Sequence, residues 1–308
     1  MLIRVQLAAR HNSTRHLLCY LLIVLATLFA ACDATTPVRQ TTPSRVTPVS
    51  ALPQVTITAK DYSFDMPETL QAGLVDVKLN NAGSQAHQAQ LARLKDGVTY
   101  DQLLAALKRG PQAALPMVTL VGGPDIISPG QSQEVALKLS PGSYIALSFV
   151  TGQDNIIDVQ KGMFKLFTVS QPTPAATGQA TTGEPTADIQ ITLKDSTFTM
   201  PASIKAAMLT VKVTNQGTQP HALALMKLQP GRSLRDVQHF LQYPSTTADT
   251  PPFDYSGGMA ALEPGASAWL ILNLAPGNYV AAHDLPALQP GETWPQTNQL
   301  MAFSVQTA

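Results

Sequence analysis

Apolar and polar side chains alternate in short runs along most of this chain. Val55, Ile57 and Ala59 make one such run, and Tyr62, Phe64 and Met66 continue in steps of two as far as Pro67. Val75, Val77 and Leu79 form the next run; the chain then turns at Asn81 to Gly83 and resumes after His87 with Ala89 and Leu91. A period of two predicts half-buried strands. One stretch breaks it: Thr99 and Gln102 form a capping-box pair, Leu103, Leu104 and Leu107 an apolar stripe, and Gly110-Pro111 a stop, which predicts one short helix. Alternation returns at Val135, Leu137 and Leu139, and the last run of this half spans Phe164 to Val169.

The whole pattern then occurs again. Val55 to Gly97 aligns without a gap to Ile189 to Gly231 at an offset of 134 residues, with 17 of 43 positions identical. Asn81, Gly83, Gln85 and His87 recur as Asn215, Gly217, Gln219 and His221. The second helix has Ser233 as cap, Val237, Phe240 and Leu241 as stripe and Pro244 as stop. Beyond it Gly122-Gly123 matches Gly257-Gly258, and Pro141-Gly142-Ser143-Tyr144 matches Pro276-Gly277-Asn278-Tyr279. Trp269, Ile271 and Leu274 are expected to supply the core strand there, and Ala302 to Val305 the last one. A repeat on this scale fixes the architecture first. Short strands, frequent Pro-Gly turns and sequential order predict a mainly β chain of two Greek-key β-sandwich domains, each with one short inserted helix. The domains span 54–169 and 188–308, joined by a Pro/Thr/Gly-rich linker at 170–187.

Composition narrows the functions. The formal net charge is zero and 13% of residues are charged, so no basic field exists to hold nucleic acid. The only cysteines, Cys19 and Cys32, precede both repeats, which excludes disulfides, zinc-thiolate sites and cysteine nucleophiles from them. Residues 1–32 carry Arg4, Arg10 and Arg15 before the apolar run Leu17 to Ala31, which reads as an export signal. Its end, Leu28-Phe29-Ala30-Ala31-Cys32, resembles a bacterial lipobox, which implies lipidation at Cys32 and an extracytoplasmic body anchored in the cell membrane. Residues 33–53, rich in Thr and Pro, read as a disordered tether.

The strands opening with Thr-x-Lys-Asp-x-x-Phe-x-Met-Pro, the Asn-x-Gly-x-x-x-His turn, the Pro-Gly-x-Tyr strand and Gly162-Met163 before the last strand resemble, in that order, a cupredoxin, the family of plastocyanin and azurin. The resemblance implies a blue copper site built from a turn histidine, a cysteine, a second histidine and a methionine. Four residues past the tyrosine, the cysteine position falls on Ser148 in the first repeat and His283 in the second. The second histidine falls near Asp158, so His87, Ser148, Asp158 and Met163 mark degenerate ligand positions. In the second repeat His221, His283 and Met301, or Met226, are candidate ligands, with an Asp284 oxygen as a further donor. Strand period places Tyr279, Ala281 and His283 on one face. In the competing arrangement His221 bonds a backbone carbonyl and His283 lies in an open loop.

These readings lead to a membrane-anchored lipoprotein without the blue copper cysteine. It is expected to be a non-catalytic binding or display module, with no cofactor and with an envelope protein or small ligand as partner. The alternative is a copper-binding or redox protein with a non-blue site in the second domain. No convergent acid, base and pocket announces an enzyme.

Overall fold

The structure is a computed structural model that describes residues 49–152, 154, 156–171, 183–242, 250–284 and 299–307. The export signal, Cys32, most of the tether, linker residues 172–182 and Pro244 lie outside them.

The first repeat contains β1 (Gln54–Lys60), β2 (Ser63–Asp65), β3 (Thr69–Gln71), β4 (Gly73–Asn81), β5 (Gln90–Leu94), β6 (Val118–Gly122), β7 (Ser132–Leu139), β8 (Gly142–Leu147) and β9 (Phe164–Ser170). The second repeats the series as β10 (Ile189–Lys194), β11 (Thr197–Thr199), β12 (Ser203–Lys205), β13 (Met208–Asn215), β14 (His221–Leu228), β15 (Phe253–Leu262), β16 (Ser267–Asn273), β17 (Gly277–Asp284) and β18 (Leu300–Gln306). Helix α1 (Tyr100–Leu107) starts at the expected Thr99–Gln102 capping box. Gly110 ends that run, but Pro111 opens a further turn, α2 (Pro111–Ala114), because proline is pre-set for a first helical position. Helix α3 (Leu234–Gln242) occupies the corresponding place in the second repeat. There the Ser233 hydroxyl donates to Asp236.

The strands form two sheets that run through both repeats. One has the order β11-β10-β13-β16-β7-β4-β1-β2, the other β12-β18-β17-β14-β15-β6-β5-β8-β9-β3. Each repeat is thus a two-layer sandwich, and the layers share one core containing Ile57, Val77, Leu79, Leu137, Tyr144, Val213, Leu270 and Tyr279. The repeats meet edge to edge through equivalent strands, β7 on β16 and β6 on β15. Equivalent patches pairing with each other is the geometry of a two-fold homodimer, here within one chain. Joining the edges also removes four free strand edges that would otherwise template aggregation. Side chains reinforce the joint: the Gln133 amide donates to the Ile271 carbonyl (2.8 Å) and the Gln90 amide to the Ala261 carbonyl (3.1 Å).

One core assignment changes. Trp269 and Ile271 do not face the common core; Ala268, Leu270, Leu272 and Leu274 do. Trp269 lies on the outer face against Val49, Leu52 and Ala136, with the Lys212 ammonium 5.1 Å from its ring centre. A period-two strand admits one parity only, and a large aromatic is no guide to which face is inside when the other face is also covered.

Candidate functional site

The two histidine turns are built alike. Asn81 closes the first: its amide donates to the carbonyls of Gln85 and Ile127, and its own oxygen accepts the Gly83 N–H. Asn215 does the same with Gln219, Leu262 and Gly217. Each turn needs glycine at its third position, since a Cβ on Gly83 or Gly217 would collide with the following histidine ring and with an aspartate. That aspartate, Asp61 in one repeat and Asp195 in the other, accepts from the turn's Ser84 or Thr218 and from the histidine Nε2 at 3.1 Å. The rings therefore bond a carboxylate, not a backbone carbonyl. Sequence reasoning missed both aspartates as site residues, although each stands in the duplicated Thr-x-Lys-Asp stretch.

From here the repeats diverge. In the first, the other ring nitrogen, His87 Nδ1, lies 2.9 Å from Asp158 Oδ2, and the Ser148 hydroxyl donates to the same oxygen at 2.8 Å. His87, Ser148, Asp158 and Met163 are all buried, and the Ser148 N–H donates to the Met163 carbonyl. The four degenerate positions do converge, but on each other. Burial alone would lower the His87 pKa; hydrogen bonds and charge attraction from Asp158 and Asp61 overcome it and raise the pKa above the ordinary value. With a carboxylate at each nitrogen, the protonated ring can donate from both, which favours it over the neutral form. The hydrogen bonds from Ser84 and His87 hold Asp61 down at about 2.

A histidine whose pKa is raised on folding stabilises the fold fully below its unfolded value, about 6.5, and that contribution is lost as pH rises through the folded value. Stability is therefore expected to fall from about pH 6.5 upward, and His87→Gln should remove that slope. Urea midpoints measured every half pH unit check it; an unchanged alkaline slope in the variant would mean the imidazolium is not the source.

In the second repeat nothing takes the place of Asp158 among the described residues. His221 is buried and its Nδ1 has no hydrogen-bond partner; His283 is fully buried and neither of its nitrogens has one. The rings are adjacent, with centroids 4.3 Å apart and planes tilted by 54°. His283 is thus not in an open loop but near the end of β17, opposite Leu223 of β14, with Phe198 on its other side at 5.8 Å. Burial, with the neighbouring His221, pushes its pKa down to about 4, so it is neutral near pH 7. Asp195 is held at about 2 by the Thr218 backbone N–H and the His221 ring.

The strand register places the remaining candidates. Met226 is on the other face of β14, packed with Val237, Phe253 and Val280. Met301 stands opposite Ala281. The residue whose carbonyl accepts from the His283 N–H, as Met163 accepts from Ser148, is Gln299. The Asp284 side chain lies outside the described residues. Among the described residues no cluster of three or more His, Cys, Asp and Glu is arranged to hold a metal ion.

Each half is a mainly β, two-layer sandwich. No protein-family model and no curated protein matches the chain. Among solved structures it is similar to the blue copper protein auracyanin A from the green thermophilic photosynthetic bacterium Chloroflexus aurantiacus. That match has 19% identity and a TM-score of 0.27, covering 38% of this chain and 98% of the other. It is also similar to a copper nitrite reductase from Nitrosomonas europaea, with 12% identity and a TM-score of 0.24 over 82% of this chain and 93% of the other. A multicopper oxidase matches at 13% identity and a TM-score of 0.21, over 82% and 88%.

The fit of copper to these residues differs between the repeats. In the first repeat it does not fit: His87 Nδ1 is already bonded to Asp158, and Ser148 offers a hydroxyl and no thiolate. In the second, His221 Nδ1 and the nitrogens of His283 are buried and have no hydrogen-bond partner among the described residues, so the residues present do not exclude it.

Proposed function

We propose that this chain is an extracytoplasmic lipoprotein, tethered through Cys32, whose paired cupredoxin-like domains serve as a non-catalytic binding or display module without blue copper. The observation that carries this reading is the His87–Asp158–Ser148 network. Residues at the ligand positions of the first repeat satisfy one another, and that repeat serves as a rigid scaffold. The continuous sheets make one body of both repeats, suited to presenting a surface to an envelope protein or small ligand.

Two measurements test it. The purified protein loaded with copper is expected to show no intense thiolate-to-copper absorption in the visible; such a band would overturn the reading. Cys32→Ser is expected to release the protein from the membrane fraction or leave its signal uncut, and unchanged processing and membrane association would refute the lipid tether.

A second reading, copper binding in the second repeat, is favoured by one observation: the three buried imidazole nitrogens of His221 and His283 that have no partner. His221 and His283 would hold the ion, which would supply a positive centre or an electron relay without the electronic structure of a blue site.

A further inference from the structure

We propose that Asp125 is a proton-operated latch on the joint between the two repeats: as a neutral carboxylic acid it lies closed inside the joint, and on ionising it drives the joint open.

The stretch after β6 carries this residue into the joint. Gly123 to Ser128 runs antiparallel beside β15 of the other repeat, with bridges from Pro124 to Met259 and from Ile127 to Ser256. Backbone hydrogen bonds tie it there: the Ala260 N–H donates to the Gly123 carbonyl at 2.8 Å, the Gly257 N–H to the Ile126 carbonyl at 3.0 Å, and the Ser128 N–H to the Tyr255 carbonyl at 3.2 Å. That register sets Asp125 opposite Gly258. Asp125 is 5% exposed, and among the described residues no side-chain hydrogen bond or ion pair reaches its carboxyl. A carboxylate buried without a counter-charge is costly. The duplication supplies its own control: where Gly122-Gly123 aligns with Gly257-Gly258, Asp125 falls on Ala260, which is fully buried. Packing alone is met there by a methyl group.

The surroundings decide which form of the carboxyl is held. The titratable groups on the chain packed against this stretch are His87 before β5, Asp254 and Tyr255 on β15, and Glu263 just beyond it. The His87 ring is engaged by Asp61 and Asp158, and the Glu263 carboxylate accepts the Leu120 N–H. No charged group acts on Asp125: burial raises its pKa from 3.8 to about 7, opposed only by the Ile126 N–H, which favours the charged form. The folded chain therefore holds this proton more tightly than the unfolded chain. Stability from the neutral form is complete below about pH 4, is lost as pH rises to about 7, and stays lost above it. An ionised Asp125 reaches water by parting its stretch from β15, so the joint is where that loss is felt.

The test is native-state hydrogen exchange on the full chain in detergent, corrected for intrinsic exchange, from about pH 4 to about pH 6.5, below the window in which His87 acts. The wild type is compared with Asp125→Asn, which keeps the shape of the neutral acid, and with Asp125→Ala, which copies the second repeat. The amides of Ser128, Gly257 and Ala260 report the joint, and those of the β1–β4 ladder report chain away from it. In the wild type the joint amides are expected to lose protection by up to about tenfold per pH unit, the limit for one proton, and the β1–β4 amides much less. Both substitutions should remove that loss. The difference between proteins is the quantity read, since burial also raises Asp76 on β4. Carboxyl NMR of the wild type adds a second readout, in which Asp125 is expected to titrate well above the ordinary aspartate range. A carboxyl that titrates near pH 4, joint protection that does not change with pH, or a loss that persists in folded Asp125→Asn would each overturn the latch. An equal loss at the β1–β4 amides would overturn it too, because the proton would then act on the whole fold and not on the joint.

Discussion

Replacing His87 with alanine is expected to destabilise the fold by about 3–5 kcal/mol, as removing one partner of a buried ion pair does. The loss would come less from the missing ring than from what it leaves behind. Asp158 is 1% exposed, and without His87 its Oδ2 keeps only the Ser148 hydroxyl. A buried carboxylate that loses its cationic partner keeps its desolvation cost without the compensating attraction. Two companions separate this account from simple loss of volume. Asp158→Asn in the His87→Gln background turns the pair into neutral amides and should cost less than His87→Ala alone. The equivalent substitution His221→Ala leaves no buried charge stranded, since Asp195 is largely exposed and keeps its bonds to Thr218. It should cost about 2 kcal/mol less than His87→Ala. Urea denaturation of the four proteins at pH 6 measures all of this. Equal losses at His87 and His221 would show that the Asp158 pairing adds nothing.

The contrast between the two histidines explains what the sequence made legible. Period-two alternation and an ungapped repeat are local and redundant, so the strands, the helix caps and the sandwich class could be read directly. Counting from Tyr144 and Tyr279 put Ser148 and His283 on the inner face for the same reason. A strand preserves parity, and the tyrosine, Ala146 or Ala281, and then Ser148 or His283 all face inward. The histidines' carboxylate partners were not legible, because Asp61 and Asp195 lie 26 residues upstream of the histidines they hold, and only the folded parallel pairing of β1 with β4 and β10 with β13 brings them near. Asp158 could be placed as a degenerate ligand position, yet nothing in its spacing said that it would claim His87. The joint between the repeats was hidden more deeply. It is made chiefly of backbone pairing between strand edges, with side chains such as Gln90, Gln133 and Glu263 and the paired glycines contributing.

Those glycines give the other large effect. Gly258→Ala is expected to cost more than about 3 kcal/mol, and Gly265→Ala only about 1 kcal/mol. Both residues have positive φ, 138° and 78°, but their surroundings differ. Nothing lies within 4 Å of a Cβ on Gly265, whereas a Cβ on Gly258 would run into the Leu223 carbonyl oxygen. A φ near 138° is moreover a region essentially restricted to glycine, while 78° is near the left-handed helical well that other residues reach at moderate cost. Gly123, the equivalent residue with φ 136°, meets the Ala89 carbonyl in the same way, so Gly123→Ala should match Gly258→Ala. The strain at Gly258 would reach the candidate site, because Leu223 pairs directly with His283 across the β14–β17 ladder. Gly258→Ala should therefore shift the His283 ring resonances in whatever folded fraction remains, and Gly265→Ala should leave them in place. If Gly258→Ala costs no more than Gly265→Ala, the close approach of the Gly258 backbone to the Leu223 carbonyl is not what requires glycine there.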